Sequence, residues 1–219
     1  MNALILVIIL AIVEGITEFL PVSSTGHMIL VNKLIGGEYL SPTFTNSFLI
    51  IIQLGAILSV VVYFWKDLTP FVGTKEKFVL RFRLWVKIIV GVIPAMVIGL
   101  FLDDIIDKYF MDNVTTIAIT LIAYGIIFIA IEVIYKIKNV KARVRNFSEL
   151  KYGTAFLIGF FQCLAMIPGT SRSGATIIGA LLLGLSRQLA AEFSFYLAIP
   201  TMFGATALKL LKNGLVFTQ

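Results

Sequence analysis

The chain has 219 residues, of which 59% are hydrophobic and only 14% charged, and its mean hydropathy is +0.99. A soluble domain is about half apolar and about a quarter charged, and a chain of this size cannot hide such an excess in one core while keeping a polar surface. The composition excludes a soluble enzyme, a nucleic-acid binder or a disordered chain, and points to an integral membrane protein; the net charge of +6, from 18 basic and 12 acidic residues, then speaks of orientation more than of an acidic partner.

In chain order, Leu4 to Gly36 is apolar but broken at residues 21–26, PVSSTG. Ser47 to Trp65 is long enough to span a bilayer, which takes about 20 apolar residues. Residues 66–87 hold six basic and two acidic residues. Trp85 to Leu102 is a second span, and residues 103–112, with four Asp and one Lys, form an acidic loop. Val114 to Tyr135 is a third span, followed by a second basic loop, 136–151, with six basic residues and one acidic. Tyr152 to Leu185 is apolar but broken at residues 168–174, PGTSRSG. Leu189 to Leu211 is a last span, with Pro200 expected to kink it. Trp65, Trp85, Tyr109 and Tyr135 lie at run ends, where amphipathic rings favour the membrane interface.

The two broken runs have flanks too short for two spans each. A polar break at membrane depth is tolerated only where it is buried in protein or faces water, so both are expected to be re-entrant helical hairpins. Two spans separate the basic loops, which therefore share a side, cytoplasmic by the positive-inside rule, with the acidic loop outside. The first hairpin then enters from outside and the second from inside, as in an inverted repeat. The breaks match, Pro21 with Pro168, and Gly55-Ala56 matches Gly204-Ala205 at nearly the same offset. The expected fold is one all-α membrane domain over residues 1–219, built of two inverted-topology repeats. Unit one covers about 1–146 and unit two about 149–219, the second incomplete. Counterparts of the spans at 85–102 and 114–135 would need roughly 60 further residues at about 20 per span plus connections. The chain is expected to be incomplete, or a short version that borrows helices from a partner in a homodimer. Met1 to Leu20 lacks a basic n-region and a small-residue cleavage site, so it is not read as a removable signal peptide.

The polar residues at membrane depth are the candidates for chemistry. Glu14 and Glu18, four apart, share a helix face. Two like charges this close do not both stay ionised cheaply, so a bound divalent cation or one shared proton is expected; packing contacts are the bland alternative. His27 is the only histidine. On a helix capped by Ser23, Ser24 or Thr25 and starting near Gly26, the hydroxyl of Ser23 or Ser24 could reach its imidazole, an activated-nucleophile arrangement; His27 could also attack directly. Arg172, flanked by Ser171 and Ser173 and followed by Gly174, has planar donors that match a phosphate, and a helix starting near Ser173 adds exposed N–H groups. The rival for Arg172 is a salt bridge to Glu14 or Glu18, which would still join the two hairpins. Thr176 lines the site or merely packs. Gln53 and Gln162 are read as interhelical hydrogen bonders, and Glu132 and Glu192 as interface residues. The lone Cys163 allows no intramolecular disulfide, and no Cys/His cluster offers a zinc site. The inventory suits a phosphate-bearing substrate better than a sugar or a lone cation.

The runs EGITEFLPVSSTGH at 14–27 and PGTSRSG at 168–174 resemble the two signatures of bacterial undecaprenyl-diphosphate phosphatases of the bacitracin-resistance type. The resemblance extends from Leu4 to Lys212 and includes FFQC at 160–163 and EFSF at 192–195. It implies a multi-pass enzyme of the bacterial inner membrane, all-helical with two interlocked inverted repeats. Such an enzyme removes the terminal phosphate of undecaprenyl diphosphate and regenerates the lipid carrier of cell-wall synthesis. Its site opens toward the outer or periplasmic face and depends on a divalent cation, Mg²⁺ or Ca²⁺. Carried over by motif, Glu14 and Glu18 handle metal or proton, Ser24 and His27 are the alternative nucleophiles, and Arg172 holds the diphosphate with the hydroxyls and backbone around it: Ser23, Thr25, Ser171, Ser173, Gly174 and Thr176. Members of the family generally continue past the position of Gln219 with two more helices. The partners are a polyprenyl diphosphate and membrane lipid, with no nucleic acid. The rival reading from another class is a flippase or anion transporter using the same residues; an intramembrane protease would leave Arg172 and the carboxylates without a role.

Overall fold

The structure, a computed structural model, describes residues 3–35, 42–71, 73–110, 114–167 and 169–213. Among them the only regular elements are helical: α1 (Ala3–Thr17), α2 (Ser24–Leu34), α3 (Pro42–Tyr63), the short α4 (Trp65–Leu68), α5 (Lys75–Phe110), α6 (Val114–Ile137), α7 (Tyr152–Cys163), α8 (Arg172–Leu182) and α9 (Arg187–Asn213). A 3₁₀ turn, Leu164–Met166, follows α7. The protein is all-α, with the composition and apolar helices of an integral membrane protein.

Two stretches among the described residues are long and apolar enough to cross a membrane, Lys75–Leu102 and Thr115–Ile137. They correspond to the second and third predicted spans and differ in surroundings: 39% of the first is buried against 6% of the second. Residues such as Ile119, Ile122, Ile126 and Ile129 on α6 are exposed. In water that surface would be untenable; in lipid it is the natural outer wall. Helix α9 is the opposite case, since Ala190, Phe193, Tyr196, Leu197 and Ala198 are buried and the helix packs on α3, α5 and α8. It runs on through Pro200.

Each polar break separates two short helices that pack on each other, α1 with α2 and α7 with α8. The breaks are sequence-encoded. Pro21 cannot continue a helix, and Ser23 and Ser171 each cap the next one by accepting from the third residue's N–H, Gly26 at 3.4 Å and Gly174 at 3.0 Å. Pro168, the other predicted breaker, lies outside the described residues.

The expectation of long linking loops needs correction. Helix α5 is 36 residues long and takes in most of the basic segment 66–87 and most of the acidic segment 103–112; residues 111–113 lie outside the described residues. The reason is intrinsic preference. After Gly73 the basic segment contains no Gly or Pro, and Lys, Glu, Arg and Leu are good helix formers whether or not lipid surrounds them. Hydropathy marks where a helix leaves the membrane and says little about where the helix ends.

The core lies between α3, α5, α7, α8 and α9, around Ile57, Ile88, Ile158, Phe193 and Leu197; a smaller cluster, Leu6, Leu10 and Met28, joins α1 and α2. Helix α7 lies closely along α5 because both present glycine at the crossing. A Cβ on Gly159 would stand 2.1 Å from the Gly91 carbonyl oxygen and 2.9 Å from Pro94 Cδ. Small residues that let backbones approach are the main device of helix association in lipid, where apolar surface has no drive to leave its surroundings. Replacement of Gly159 by Ala should therefore force α5 and α7 apart and cost about 1–3 kcal/mol. A lowered midpoint of thermal unfolding in detergent is the expected reading, and an unchanged midpoint would contradict this account of the contact.

Candidate active site

Glu18, just after the end of α1, is buried, and its carboxylate is held from two sides. Arg172, at the start of α8, donates from one guanidinium nitrogen to Glu18 Oε1 at 2.5 Å. Ser24, at the start of α2, donates its hydroxyl to Glu18 Oε2, also at 2.5 Å. Arg172 further donates to the Ser194 carbonyl of α9 at 3.3 Å, and Ser173 donates to the Leu20 carbonyl at 3.0 Å. The break after α1, α2, the start of α8 and α9 thus meet at one polar knot. Phe19 and Phe195 pack edge to face beside it, with ring centroids 5.7 Å apart.

The knot forms one end of a cleft of about 630 Å³. Glu18, Ser23, Ser24, Thr25, Thr170, Ser171, Arg172 and Ser173 line the polar end, with Gln53, Gln162 and Thr201. The remaining wall is apolar and comes from α5 and α9, with Val92, Met96, Leu100, Ala207 and Leu208. The helix starts aim their first-turn amides at the polar end; among the described residues the N–H groups of Ser24, Thr25, Arg172 and Ser173 have no acceptor. A helix N-terminus of this kind is an anion site. Ser23 takes a φ of 64°, a left-handed conformation that a non-glycine residue holds only when its surroundings demand it.

The predicted site residues do not all arrive at the cleft. Ser24 and His27 do not form a pair, which corrects the expectation of a hydroxyl on the imidazole. His27 Nδ1 instead contacts the Ser23 backbone oxygen at 2.9 Å, and His27 does not line the cleft. The competing carboxylate explains this, because Glu18 is a stronger acceptor for the Ser24 hydroxyl than a neutral imidazole. Glu14 lies fully buried behind the cleft wall. It neighbours Glu18, Ser24 and Arg172 electrostatically, yet neither of its oxygens has a hydrogen-bond partner of good geometry. Thr176 is buried on α8, with its hydroxyl 2.6 Å from that of Ser194, and does not line the cleft; Gly174 is also away from the cavity, where a Cβ would press on Ser171 at 3.0 Å.

Four contributors were not among the sequence candidates. Thr170 is buried at the cleft, its hydroxyl near that of Tyr124 but without a hydrogen bond of good geometry; its place inside the PGTSRSG run was the available signal. Gln53 and Gln162 do make interhelical bonds, to Thr25 at 3.5 Å and to Thr201 at 3.2 Å, but they also line the cavity. Thr201, one residue after Pro200, gave no sequence signal. Glu132 pairs with Arg187 at 2.9 Å on the exposed surface, and Glu192 accepts from Gln188.

An orphaned buried carboxylate beside a second one is a donor set that fits a hard cation or a proton. No group of three or more His, Cys, Asp or Glu side chains capable of holding a metal occurs among the described residues. A cation here would therefore complete its shell with phosphate oxygens and water, the usual habit of Mg²⁺.

The sequence profile described as Bacitracin resistance protein BacA matches residues 7–219. The chain belongs to the BacA family. A curated relative from Fusobacterium nucleatum subsp. nucleatum, named undecaprenyl-diphosphatase, is 84% identical over 214 residues, covering 98% of this chain and 80% of the relative. Undecaprenyl-diphosphatase 1 of Clostridioides difficile is 55% identical over 96% of this chain and 76% of its own length. A third, the undecaprenyl-diphosphatase of Acetivibrio thermocellus, is 52% identical over the whole chain and 80% of its own length. The BacA match takes in every residue of the polar knot, from Glu18 to Ser194, and Glu14 as well.

Breaking a buried ion pair by removing one partner leaves the other charge uncompensated, at about 3–5 kcal/mol. Arg172→Met should lower stability by an amount in that range, and adding Glu18→Gln should restore much of it. Thermal unfolding of the two single variants and the double variant gives the coupling, expected at about 2–3 kcal/mol; additive effects would mean that the pair contributes nothing to stability.

Proposed function

We propose that this chain hydrolyses undecaprenyl diphosphate to undecaprenyl phosphate and inorganic phosphate in the bacterial inner membrane, as the names of its relatives suggest, and so returns the lipid carrier to cell-wall synthesis. The observation that carries this reading is the Arg172–Glu18–Ser24 knot at the polar end of an otherwise apolar cleft. An isoprenoid tail suits the wall of α5 and α9, and a diphosphate suits a guanidinium, several hydroxyls and unpaired amides.

In the proposed reaction the terminal phosphate binds between the starts of α2 and α8. Arg172 shares its donors between Glu18 and the phosphate, and the amides of the first turns stabilise charge on its oxygens. Ser24 Oγ attacks the terminal phosphorus while Glu18 takes its proton over the existing hydrogen bond. The Ser24 O–P bond forms, the anhydride P–O bond breaks, and undecaprenyl phosphate leaves. The proton on Glu18 leaves with the undecaprenyl phosphate; water then attacks the phosphoserine with Glu18 again as base, the Ser24 O–P bond breaks, and Glu18 returns the water's proton to Ser24 Oγ as inorganic phosphate departs. His27 is a positioning residue in this scheme, holding the backbone oxygen of Ser23 at the strained turn. Glu14 and Glu18 would hold a divalent cation, Mg²⁺ or Ca²⁺, which when bound offsets the negative charge of the diphosphate.

The architecture we propose is two inverted repeats, with α1/α2 and α7/α8 as re-entrant hairpins in a single multi-pass membrane domain. Its support is the shared design of the second helix of each hairpin: a Ser cap, Ser23 or Ser171, with glycine at the third helical position, Gly26 or Gly174, at the same interval along the chain. In this reading the basic residues of 66–87 and 136–151 support a cytoplasmic side for those segments by the positive-inside rule, and the cleft is proposed to open outward.

The decisive assay is phosphate release from undecaprenyl diphosphate by purified protein, with Mg²⁺ and with chelator. Ser24→Ala, Glu18→Gln and Arg172→Ala should each lose more than about 100-fold in kcat, the scale of a lost nucleophile, base or charge stabiliser, whereas His27→Ala should retain more. Chelation should abolish release. Equal activity in Ser24→Ala and wild type would overturn the serine mechanism, and lipid movement across vesicles without phosphate release would replace the hydrolase with a transporter.

A further inference from the structure

The segment between α6 and α7 contains no helix but is firmly tied. Arg143 and Val144 both donate backbone N–H groups to the Gly184 carbonyl, at 2.8 and 3.1 Å, and Ser186 donates to the Val144 carbonyl at 2.9 Å. Lys87 of α5 reaches up to donate to the Phe147 carbonyl at 2.5 Å. Between this segment, the end of α6 and the start of α9 lies a second cavity of about 370 Å³, remote from the cleft in its lining residues, with Tyr135, Val140, Arg145, Ser186, Arg187 and Gln188 among them.

Its chemistry is that of an anion site. Arg187 gives part of its charge to Glu132; the Arg145 guanidinium makes no hydrogen bond among the described residues and acts on the nearby Glu149 only through its charge, which leaves its donors open. Glu149, the acidic residue of the segment, is already engaged: it accepts from the Arg145 backbone N–H at 2.8 Å and from Asn146 at 3.2 Å, which holds its carboxyl below the usual range. Ser186 caps α9, accepting from the Leu189 N–H, and leaves the N–H groups of Arg187 and Gln188 without an acceptor among the described residues. These amides, at the start of a 27-residue helix, face the same cavity that Arg145 lines. Lys136, Lys138, Lys141 and Arg143 are exposed and adjoin its lining residues Tyr135, Val140 and Ala142 in the chain. The third element is α6, whose last turns form one wall through Tyr135 and whose Ile126, Ile129, Val133 and Ile137 are exposed along the outside. Phosphate chemistry and a lipid-facing apolar wall therefore adjoin.

We propose that this cavity binds the phosphate of an anionic phospholipid, with its acyl chains lying on the exposed face of α6. The basic rim disfavours a zwitterionic headgroup, whose own cation would meet Lys136, Lys138 and Lys141. A free phosphate would satisfy the donors but leave the α6 wall unused. The site lies outside the proposed catalytic cleft and does not depend on the hydrolytic reading.

The test is native mass spectrometry of the full chain released from neutral detergent, titrated separately with phosphatidylglycerol, phosphatidylcholine and inorganic phosphate. Phosphatidylglycerol should bind at least about tenfold tighter than either of the others, and Arg145→Gln should weaken it by about tenfold, the scale of one charge-assisted hydrogen bond. Arg145→Lys should keep part of the affinity. Equal binding of the two lipids, or phosphatidylglycerol binding unmoved by Arg145→Gln, would overturn the proposal; inorganic phosphate binding as tightly as phosphatidylglycerol would reduce the site to a simple anion pocket and also overturn it. Phosphate release by Arg145→Gln in neutral detergent should equal that of wild type. A wild type inactive on undecaprenyl diphosphate would remove the hydrolytic reading and leave the lipid-binding result to stand by itself.

Discussion

Glu18 and Arg172 stand 154 positions apart in the chain and carry opposite charges into a region where neither has ready access to water. Each alone would be costly there. Together they form the 2.5 Å contact around which the other polar groups arrange themselves. The pair joins the first hairpin to the second, brings the start of α2 to the start of α8 through Ser24 and Ser173, and draws in α9 through the Ser194 carbonyl. A buried pair of this kind is weak evidence of stability for its own sake, because apolar residues of the same shape would do as well. Its retention makes more sense as function, since a guanidinium that already has one carboxylate partner can exchange part of that contact for a phosphate.

The same economy appears in the helix breaks. A helix interrupted inside an apolar environment strands backbone N–H groups, and these must find acceptors or be reserved for a ligand. Ser23 and Ser171 satisfy one amide each. The amides left over point to the cleft, in front of the orphaned Glu14 carboxylate. Those unsatisfied groups would be faults in a purely structural core. At the polar end of a cleft they are the groups that a multiply charged substrate and a cation would satisfy.

The surroundings divide the labour by burial. Helices α5, α7 and α9 form the packed centre, with Gly91 and Gly159 allowing backbone contact, and they give the cleft its apolar wall. Helix α6 contributes little to the core and presents its isoleucines outward. The tied segment after it, anchored by Lys87 and the Gly184 carbonyl, shows that the basic surface is ordered rather than a loose fringe of charge.

Much was legible in the sequence because it depends on local composition. The apolar runs at 85–102 and 114–135, the two breaks, a cap within Ser23–Thr25 and the apolar setting of Glu14, Glu18 and Arg172 all follow from hydropathy and turn chemistry, which neighbouring residues decide. The ends of α5 were misread because hydropathy reports lipid contact while helix length follows backbone propensity. What the sequence could not decide was which partner each polar group would choose. Spacing along α2 allowed Ser24 to reach His27, and only the arrival of Glu18 from α1, with Arg172 from α8, turned the hydroxyl to a carboxylate. Likewise Gln53, Gln162 and Thr201 became cleft residues only when α3, α7 and α9 converged. By itself the sequence determined the membrane character, the breaks and the inventory of reactive groups; the pairing of those groups waited on the tertiary structure, because competition between acceptors is settled by distances between helices that are remote in the chain.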